Sequence, residues 1–307
     1  MRAIRAHEFG RADVLCLDDI AAPQVGDGDI LVRVVASGVN PIEWKIRSGT
    51  MARALGRPLP VTFGWECAGI VISVGSSVST FKTGDAVFAY PEFTRGGTHA
   101  DQVAIAADQA ALKPRTLDFA AAAAVPMTAQ AAWTALDAAA IKPGERVLIH
   151  GAGGAVGHWL VQLAHMRGAE VIATASGTQL GTVTALGAHQ TIDYREQRFE
   201  EIGPVAVVLD LVGGETQERS WAMLGAGGRL VSTVSPPAPQ RNGAEGRFVF
   251  TAPRGGLLAQ IATLLDDGRL RPLSIDTPML LAQAGEAHTL GELGKLHGKT
   301  VLMVTQP

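Results

Sequence analysis

Short β-branched runs bounded by turn residues fill the first third of the chain. Ile30-Leu31-Val32-Arg33-Val34-Val35 and Gly69-Ile70-Val71-Ile72-Ser73-Val74 have the length and composition of strands, and Gly26-Asp27-Gly28-Asp29 and Lys82-Thr83-Gly84-Asp85 are turns. From Met1 to about Ala111 the pattern predicts a small sheet or partial barrel.

After Leu117 the pattern becomes an alternation of apolar strands and helical segments. Arg146-Val147-Leu148-Ile149-His150 reads as a strand, followed by a glycine-rich turn and a helix from about Ala155 to Met166. Glu170–Thr174, Gln190–Asp193, Val205–Asp210 and Gly228–Thr233 continue the strands, with the proline-rich loop Ser235–Pro239 beyond them. This spacing implies a parallel sheet wrapped by helices on both faces. Helices are expected near Gly255 to Asp267 and Leu280 to Gly291. The last strand, Thr300–Val304, has no α/β partner after it and is expected to return to the first domain. The domains are therefore placed at 1–120, 121–252 and 253–307, the last segment closing the first domain.

Composition adjusts this picture only slightly. A chain of 307 residues fits about two domains. With 47% hydrophobic and 18% charged residues and a net charge of −3, it can bury a core and has no polyelectrolyte character, so nucleic acid is not an expected partner. Cys16 and Cys67 are the two cysteines, so neither a disulfide framework nor a cysteine-built zinc site can be assembled. Arg2, Arg5 and Glu8 stand where a secretory signal needs an apolar run, and the alanine-rich stretch Phe119 to Ile141 is broken by Pro126, Gln130 and Asp137. A cytoplasmic protein without a membrane span is the expectation.

The chemistry starts at Gly151-Ala152-Gly153-Gly154-Ala155-Val156-Gly157, between a strand and a helix. Gly151 permits a tight exit from the strand, Gly154 removes a Cβ where a pyrophosphate would approach backbone amides, and Gly157 lets the helix pack close to the sheet. In that context the turn predicts dinucleotide binding, with Gly151, Gly153, Gly154, Ala155, Val156 and Gly157 as contacts and Leu211 and Val212, just after a later strand, beside them. The loop Ala173–Gln179 holds no carboxylate to repel a 2′-phosphate, so NADPH is favoured over NADH. Ser176 is a cofactor contact or a simple helix cap.

Together with this turn, Gly38-Val39-Asn40-Pro41-Ile42-Glu43-Trp44, Gly64-Trp65-Glu66-Cys67-Ala68-Gly69, Gly84-Asp85-Ala86-Val87, Gly187–Tyr194 and Gly298-Lys299-Thr300-Val301-Leu302 make the chain resemble the quinone oxidoreductase branch of the medium-chain dehydrogenase/reductase family. The resemblance implies an α/β fold: a Rossmann doubly wound parallel sheet plus a GroES-like, mostly β substrate domain closed by the C-terminal segment. It also implies NADPH-dependent hydride transfer to a quinone or an activated alkene, and a homodimer extended through a strand such as Arg247–Phe250. Zinc-dependent members of the wider family place metal ligands where this chain has Asn40 and Trp65, so no metal is expected. Relatives often carry a lysine for the 2′-phosphate where Gln179 stands, and Tyr194 matches a tyrosine of the same pocket. A threonine common near the nicotinamide is Ala131 here, and a pocket tyrosine is Met51, so the substrate pocket is expected to be less polar than usual.

Hydride transfer to an enone places negative charge on the carbonyl oxygen, which calls for a hydrogen-bond donor. Asn40 is the first candidate, toward the substrate carbonyl or the nicotinamide ribose, the alternative being a turn residue ahead of Pro41. Trp44 is an aromatic wall or a core residue, and with Met51 and Asn40 completes the substrate-binding set. Glu66 reads as a salt-bridge partner, His150 as packing, and His99 as a candidate proton donor on a loop. Competing readings are an enoyl reductase acting on carrier-bound thioesters and a non-catalytic NADPH-binding protein.

Overall fold

The computed structural model describes residues 1–52, 56, 58–275, 278–296 and 298–305. They form two compact units, one built from Met1–Met127 and Ala252–Pro307 and the other from Thr128–Thr251.

In the first unit, β1 (Arg2–Ala6), β2 (Leu15–Asp19), β3 (Asp29–Gly38), the helix α1 (Pro41–Arg47), β4 (Val61–Thr62), β5 (Cys67–Val74), β6 (Ala86–Ala89), β7 (Gln102–Ala106) and β8 (Ala110–Leu112) follow in order. β1 sits between β2 and β4 in a small antiparallel sheet. β3 is the spine of the larger sheet, pairing antiparallel with β5 and β7, while β5 continues through β6 to β8. Ile30, Val32 and Val34 project from one face of β3 into a core with Val71, Val87, Val103 and Ile105, the alternation expected of a half-buried strand. Helix α2 (Phe119–Ala123) starts at Asp118, whose side chain accepts the amide of Ala121 at 2.7 Å. Helix α3 (Pro126–Ala139) follows.

The second unit is a doubly wound sheet. Its elements are β9 (Arg146–His150), α4 (Ala155–Met166), β10 (Glu170–Ala175), α5 (Leu180–Ala185), β11 (Gln190–Asp193), β12 (Val205–Asp210), α6 (Gly214–Ser220), β13 (Leu224–Ser232), β14 (Gln240–Arg241) and β15 (Ala244–Phe248). The strand order is β11-β10-β9-β12-β13-β15-β14, all parallel except the short β14. Val147, Leu148 and Ile149 of β9 are fully buried, as a central parallel strand requires. The chain winds outward one way from β9 through β10 and β11, then restarts beside β9 at β12. The carboxyl ends of β9 and β12 therefore flank the point where the order reverses, the crevice in which such sheets take ligands.

The chain then returns to the first unit. Helix α7 (Gly255–Asp266) buries Leu257, Leu258, Ile261 and Leu265, and its last residue, Asp266, accepts the amide and hydroxyl of Thr116 at 3.0 Å. β16 (Met279–Leu280) and α8 (Ala284–Glu292) lead to β17 (Val301–Met303), which pairs antiparallel with β3. The unpartnered last strand thus finds its place beside the spine of the first sheet. Among the described residues no helix is long and apolar enough to cross a membrane.

Candidate functional site

The glycine turn lies at the reversal point. Gly151 leaves β9 with φ +72°, and a Cβ there would stand 3.3 Å from both Leu211 Cβ and Val212 Cγ2, so the loops after β9 and β12 touch. A Cβ at Gly157 would collide with the carbonyl oxygen of Gly151, and one at Gly153 with the amide of Gln179. Gly154 differs: its φ of −80° and ψ of 171° suit any residue, its nearest obstacle is 3.4 Å away, and it is exposed. It caps α4 with no side-chain hydrogen bond, so the amides of the first turn at Ala155 and Val156 have no partner within the helix. That is a positively polarised cradle for an anion.

Two buried polar networks hold these loops. His150, at the end of β9, receives a hydrogen bond from the Thr174 hydroxyl at Nδ1 (3.2 Å) and donates from Nε2 to Ser220 Oγ (3.0 Å), which in turn donates to Thr216 O. Thr174 Oγ1 also accepts the Gly151 amide at 3.3 Å. Burial pushes the His150 pKa down to about 4, so it is a neutral strut between β9, β10 and α6. Asp210, fully buried at the end of β12, accepts the amides of Val212 and Gly213 at one oxygen and Gln217 Nε2 and Ser232 Oγ at the other. Those four bonds set the Leu211-Val212-Gly213 loop. Asp210 was not among the residues singled out by sequence; an acidic residue closing a buried apolar strand was the available signal.

At the ends of β10 and β11, Ser176 Oγ lies 3.3 Å from Gln179 Oε1, and Gln179 Nε2 donates to Gly153 O at 3.1 Å. Gln179 thus reaches across to the glycine turn. The Tyr194 amide donates to Ala175 O at 3.3 Å, and its side chain is exposed.

In the first unit, Asn40 is buried with both ends of its amide engaged. Nδ2 donates to Glu66 Oε1 at 2.8 Å, and Oδ1 accepts from Lys299 Nζ at 2.6 Å. Lys299 also donates to Val39 O at 2.7 Å and pairs with Glu66 Oε1 at 2.6 Å, while Glu66 Oε2 accepts the Met127 amide. Asn40 therefore holds a carboxylate and an ammonium together, using its Oδ1 and one of the two Nδ2 hydrogens. Lys299 was visible in the closing motif, but its partners lie far away in sequence.

His99 is fully buried rather than carried on a free loop. Its Nε2 donates to Gly38 O at 3.3 Å and lies 3.8 Å from Glu43 Oε2. His288 Nδ1 accepts from Arg47 at 3.4 Å, so its proton sits on Nε2 and points to Glu43 Oε2 at 3.2 Å. Burial raises the Glu43 pKa to about 7, lowers that of His99 and, with Arg47 nearby, lowers that of His288 to about 3. Glu43, His99 and His288 are the one group among the described residues with the donor types and spacing for a metal ion. In this arrangement the Nε2 atoms of both imidazoles donate, His99 to Gly38 O and His288 toward Glu43 Oε2.

Trp44 is half-buried, its ring 6.0 Å from that of His288 and against Gly291 of α8, which is a packing position. Met51 packs on an aromatic cluster of Phe63, Trp65, Tyr90 and Phe93.

Comparison with known proteins gives concordant results. Residues 26–134 match a family model described as an alcohol dehydrogenase GroES-like domain, and residues 186–302 one described as a zinc-binding dehydrogenase. A 2-methylene-furan-3-one reductase of Solanum lycopersicum is 33% identical over 98% of this chain and 79% of its own length. The NADPH-dependent alkenal/one oxidoreductase of Arabidopsis thaliana chloroplasts is 32% identical over the same shares, and the quinone oxidoreductase of Pongo abelii 35% identical over 94% and 93%. Among solved structures, the quinone oxidoreductase of Coxiella burnetii superposes with a TM-score of 0.92 at 33% identity, covering 99% of both chains. The Escherichia coli quinone oxidoreductase complexed with NADPH gives 0.86 at 28% identity, covering 99% and 100%. The zinc in the second model's description does not fit the residues here. Asn40 and Trp65 supply neither thiolate nor imidazole, and the Lys299 ammonium already sits against Glu66.

Proposed function

Because the chain belongs to the quinone oxidoreductase branch of the medium-chain dehydrogenase/reductase family, we propose that it is an NADPH-dependent reductase delivering hydride to a quinone or an α,β-unsaturated carbonyl compound without zinc. The observation that carries the reading is Gly154. The fold tolerates a side chain there, yet a side chain would fill the space over the free amides of α4. The residue makes sense as room for a pyrophosphate, with Ala155 and Val156 donating, Gly151 and Gly153 shaping the turn, and Leu211 and Val212 forming the opposite lip. When bound, the reduced nicotinamide supplies the hydride, and the protein supplies position and a dry, polarised surface.

The names of the relatives support both the cofactor and the acceptor class, one being NADPH-dependent on alkenals and enones and others quinone oxidoreductases. Asn40, Glu66 and Lys299 act on this reading as a rigid internal brace, and Met51 packs against the buried aromatic cluster beside it. A homodimer built through the edge at β14 and β15 goes with the same reading, and the exposed Phe248 and Phe250 support it. Sedimentation or light scattering showing a monomer would remove it.

The test is to follow NADPH absorbance with a panel of small quinones and enones. Turnover of either class is the expected result. Tight NADPH binding with no turnover of any acceptor would overturn the reductase assignment.

A further inference from the structure

We propose that the first unit carries a second ligand site, separate from the glycine turn: a cavity along α7 that takes an amphipathic monocarboxylate, with its acid group at Lys113 and its apolar chain along the helix. The cavity has a volume of about 1010 Å³ and is lined by the start of β3, the connection from β5 to β6, β8 with its flanks, and one face of α7. Every lining residue lies in the first unit, and none belongs to the glycine turn, the Leu211-Val212 lip or the Asn40 brace. Small-molecule sites occupy about 300–1,000 Å³, often at the mouths of β-barrels, with apolar walls and a few polar groups.

The shape suits an extended apolar chain. Gly256, Ala259, Ala262, Thr263 and Asp266 line the cavity at helical spacing, while Leu257, Leu258, Ile261 and Leu265 of the same helix are buried. Gly255 at one end and Asp266 at the other are separated by about 16 Å of helix. Small side chains leave this floor open, and a Cβ at Gly256 would meet nothing within 4 Å. Val78, Phe81 and Ala107 form an apolar wall packed on the core of the first sheet, and Leu112, also on the cavity, is 56% exposed. A hydrocarbon chain laid between floor and wall takes apolar surface of both partners out of water.

Charge fixes the head group and its direction. Toward the Asp266 end, Lys113 Nζ donates to Pro114 O at 2.9 Å and to Leu117 O, and lies 5.3 Å from the centre of the Phe119 ring. Among the described residues Lys113 makes no ion pair, whereas the cavity's Asp29 and Asp266 are held by Arg95 and Arg115. Burial lowers the Lys113 pKa against the pull of Asp118 and Asp266, so its ammonium is short of both water and a counterion. A ligand carboxylate supplies that counterion and accepts the third N–H of the ammonium. At the other end stands the exposed Asp108, whose carbonyl oxygen is 2.5 Å from where a Cβ of Gly255 would be. A second acid group on the ligand would meet that carboxylate, which selects a monocarboxylate over a dicarboxylate.

The experiment is isothermal titration calorimetry of the intact protein with decanoate, butyrate and decanedioate, with and without saturating NADPH. Decanoate should bind with an affinity that NADPH leaves unchanged, and butyrate and decanedioate should each bind at least about tenfold more weakly. Lys113→Met should weaken decanoate about tenfold, and Lys113→Arg should keep most of the affinity. Ala259→Trp, at an exposed position of α7, should abolish decanoate binding while thermal melting and NADPH affinity stay those of wild type. Decanoate that competes with NADPH, or that binds Lys113→Met and Ala259→Trp as it binds wild type, would place the acid elsewhere and overturn the proposal. A wild type that binds no decanoate below its micellar concentration would overturn it too, and either failure leaves the hydride-transfer reading, tested by turnover, intact.

Discussion

At the scale of single residues, the four glycines of one turn carry different loads. Gly154→Val should weaken NADPH binding at least about tenfold, because the side chain displaces a phosphate from the helix amides. Thermal melting of the variant should match wild type within a few degrees, since the backbone there is unstrained; a large loss of stability would show that Gly154 serves the fold instead. A second prediction concerns the buried ion pair. Lys299→Met leaves Glu66 without its cation and should cost about 3–5 kcal/mol in urea unfolding, and adding Glu66→Gln should recover much of that. Equal and additive losses would mean that the two side chains are not coupled. Residue type alone nominated Asn40 as a substrate donor. The fold holds its amide between Glu66 and Lys299, and that placement depended on a lysine delivered by the far end of the chain.

At the scale of elements, periodicity placed most strands and helices within a residue or two. Strand β9 and helix α4 match the sequence reading, because a buried apolar run next to a glycine turn leaves few alternatives. The second C-terminal helix starts at Ala284 rather than near Leu280, since Met279 and Leu280 pair with β17 first. The contact between α4 and its turn gives a third prediction. Gly157→Ala forces a Cβ against the Gly151 carbonyl and should destabilise the protein by about 1–3 kcal/mol, weakening NADPH binding as the turn shifts. Wild-type stability with reduced affinity would contradict this division of labour between Gly154 and Gly157.

At the scale of the whole molecule, the buried histidines His99, His150 and His288 and the buried Glu43 shape the pH dependence of stability. His150 and His288, with pKa values near 4 and 3, stay neutral in the fold while the unfolded chain gains protons below about 6.5, so their stabilisation is present above that pH and is lost on acidification. Glu43, raised to about 7, acts in the opposite sense: it keeps its proton in the fold, and its contribution falls as pH rises from about 4.5 to 7. His99, lowered by burial, acts in the same sense as the other two histidines, so the melting temperature should fall from pH 6.5 to 4.5, where Glu43 cancels one of the three histidine contributions, and more steeply below. Glu43→Gln should steepen the upper part of the curve, and a profile flat from pH 7 to 4 would refute the scheme. The sequence by itself determined the alternation of strands and helices, the nucleotide-type turn and the absence of a cysteine-built metal site, because each follows from local spacing or residue type. Tertiary structure alone decided which polar side chains remain free, placing Lys299 on Asn40, Asp210 under its loop and Arg47 on His288. Those pairings join segments remote along the chain, and burial requires each group to find whichever partner the fold brings near.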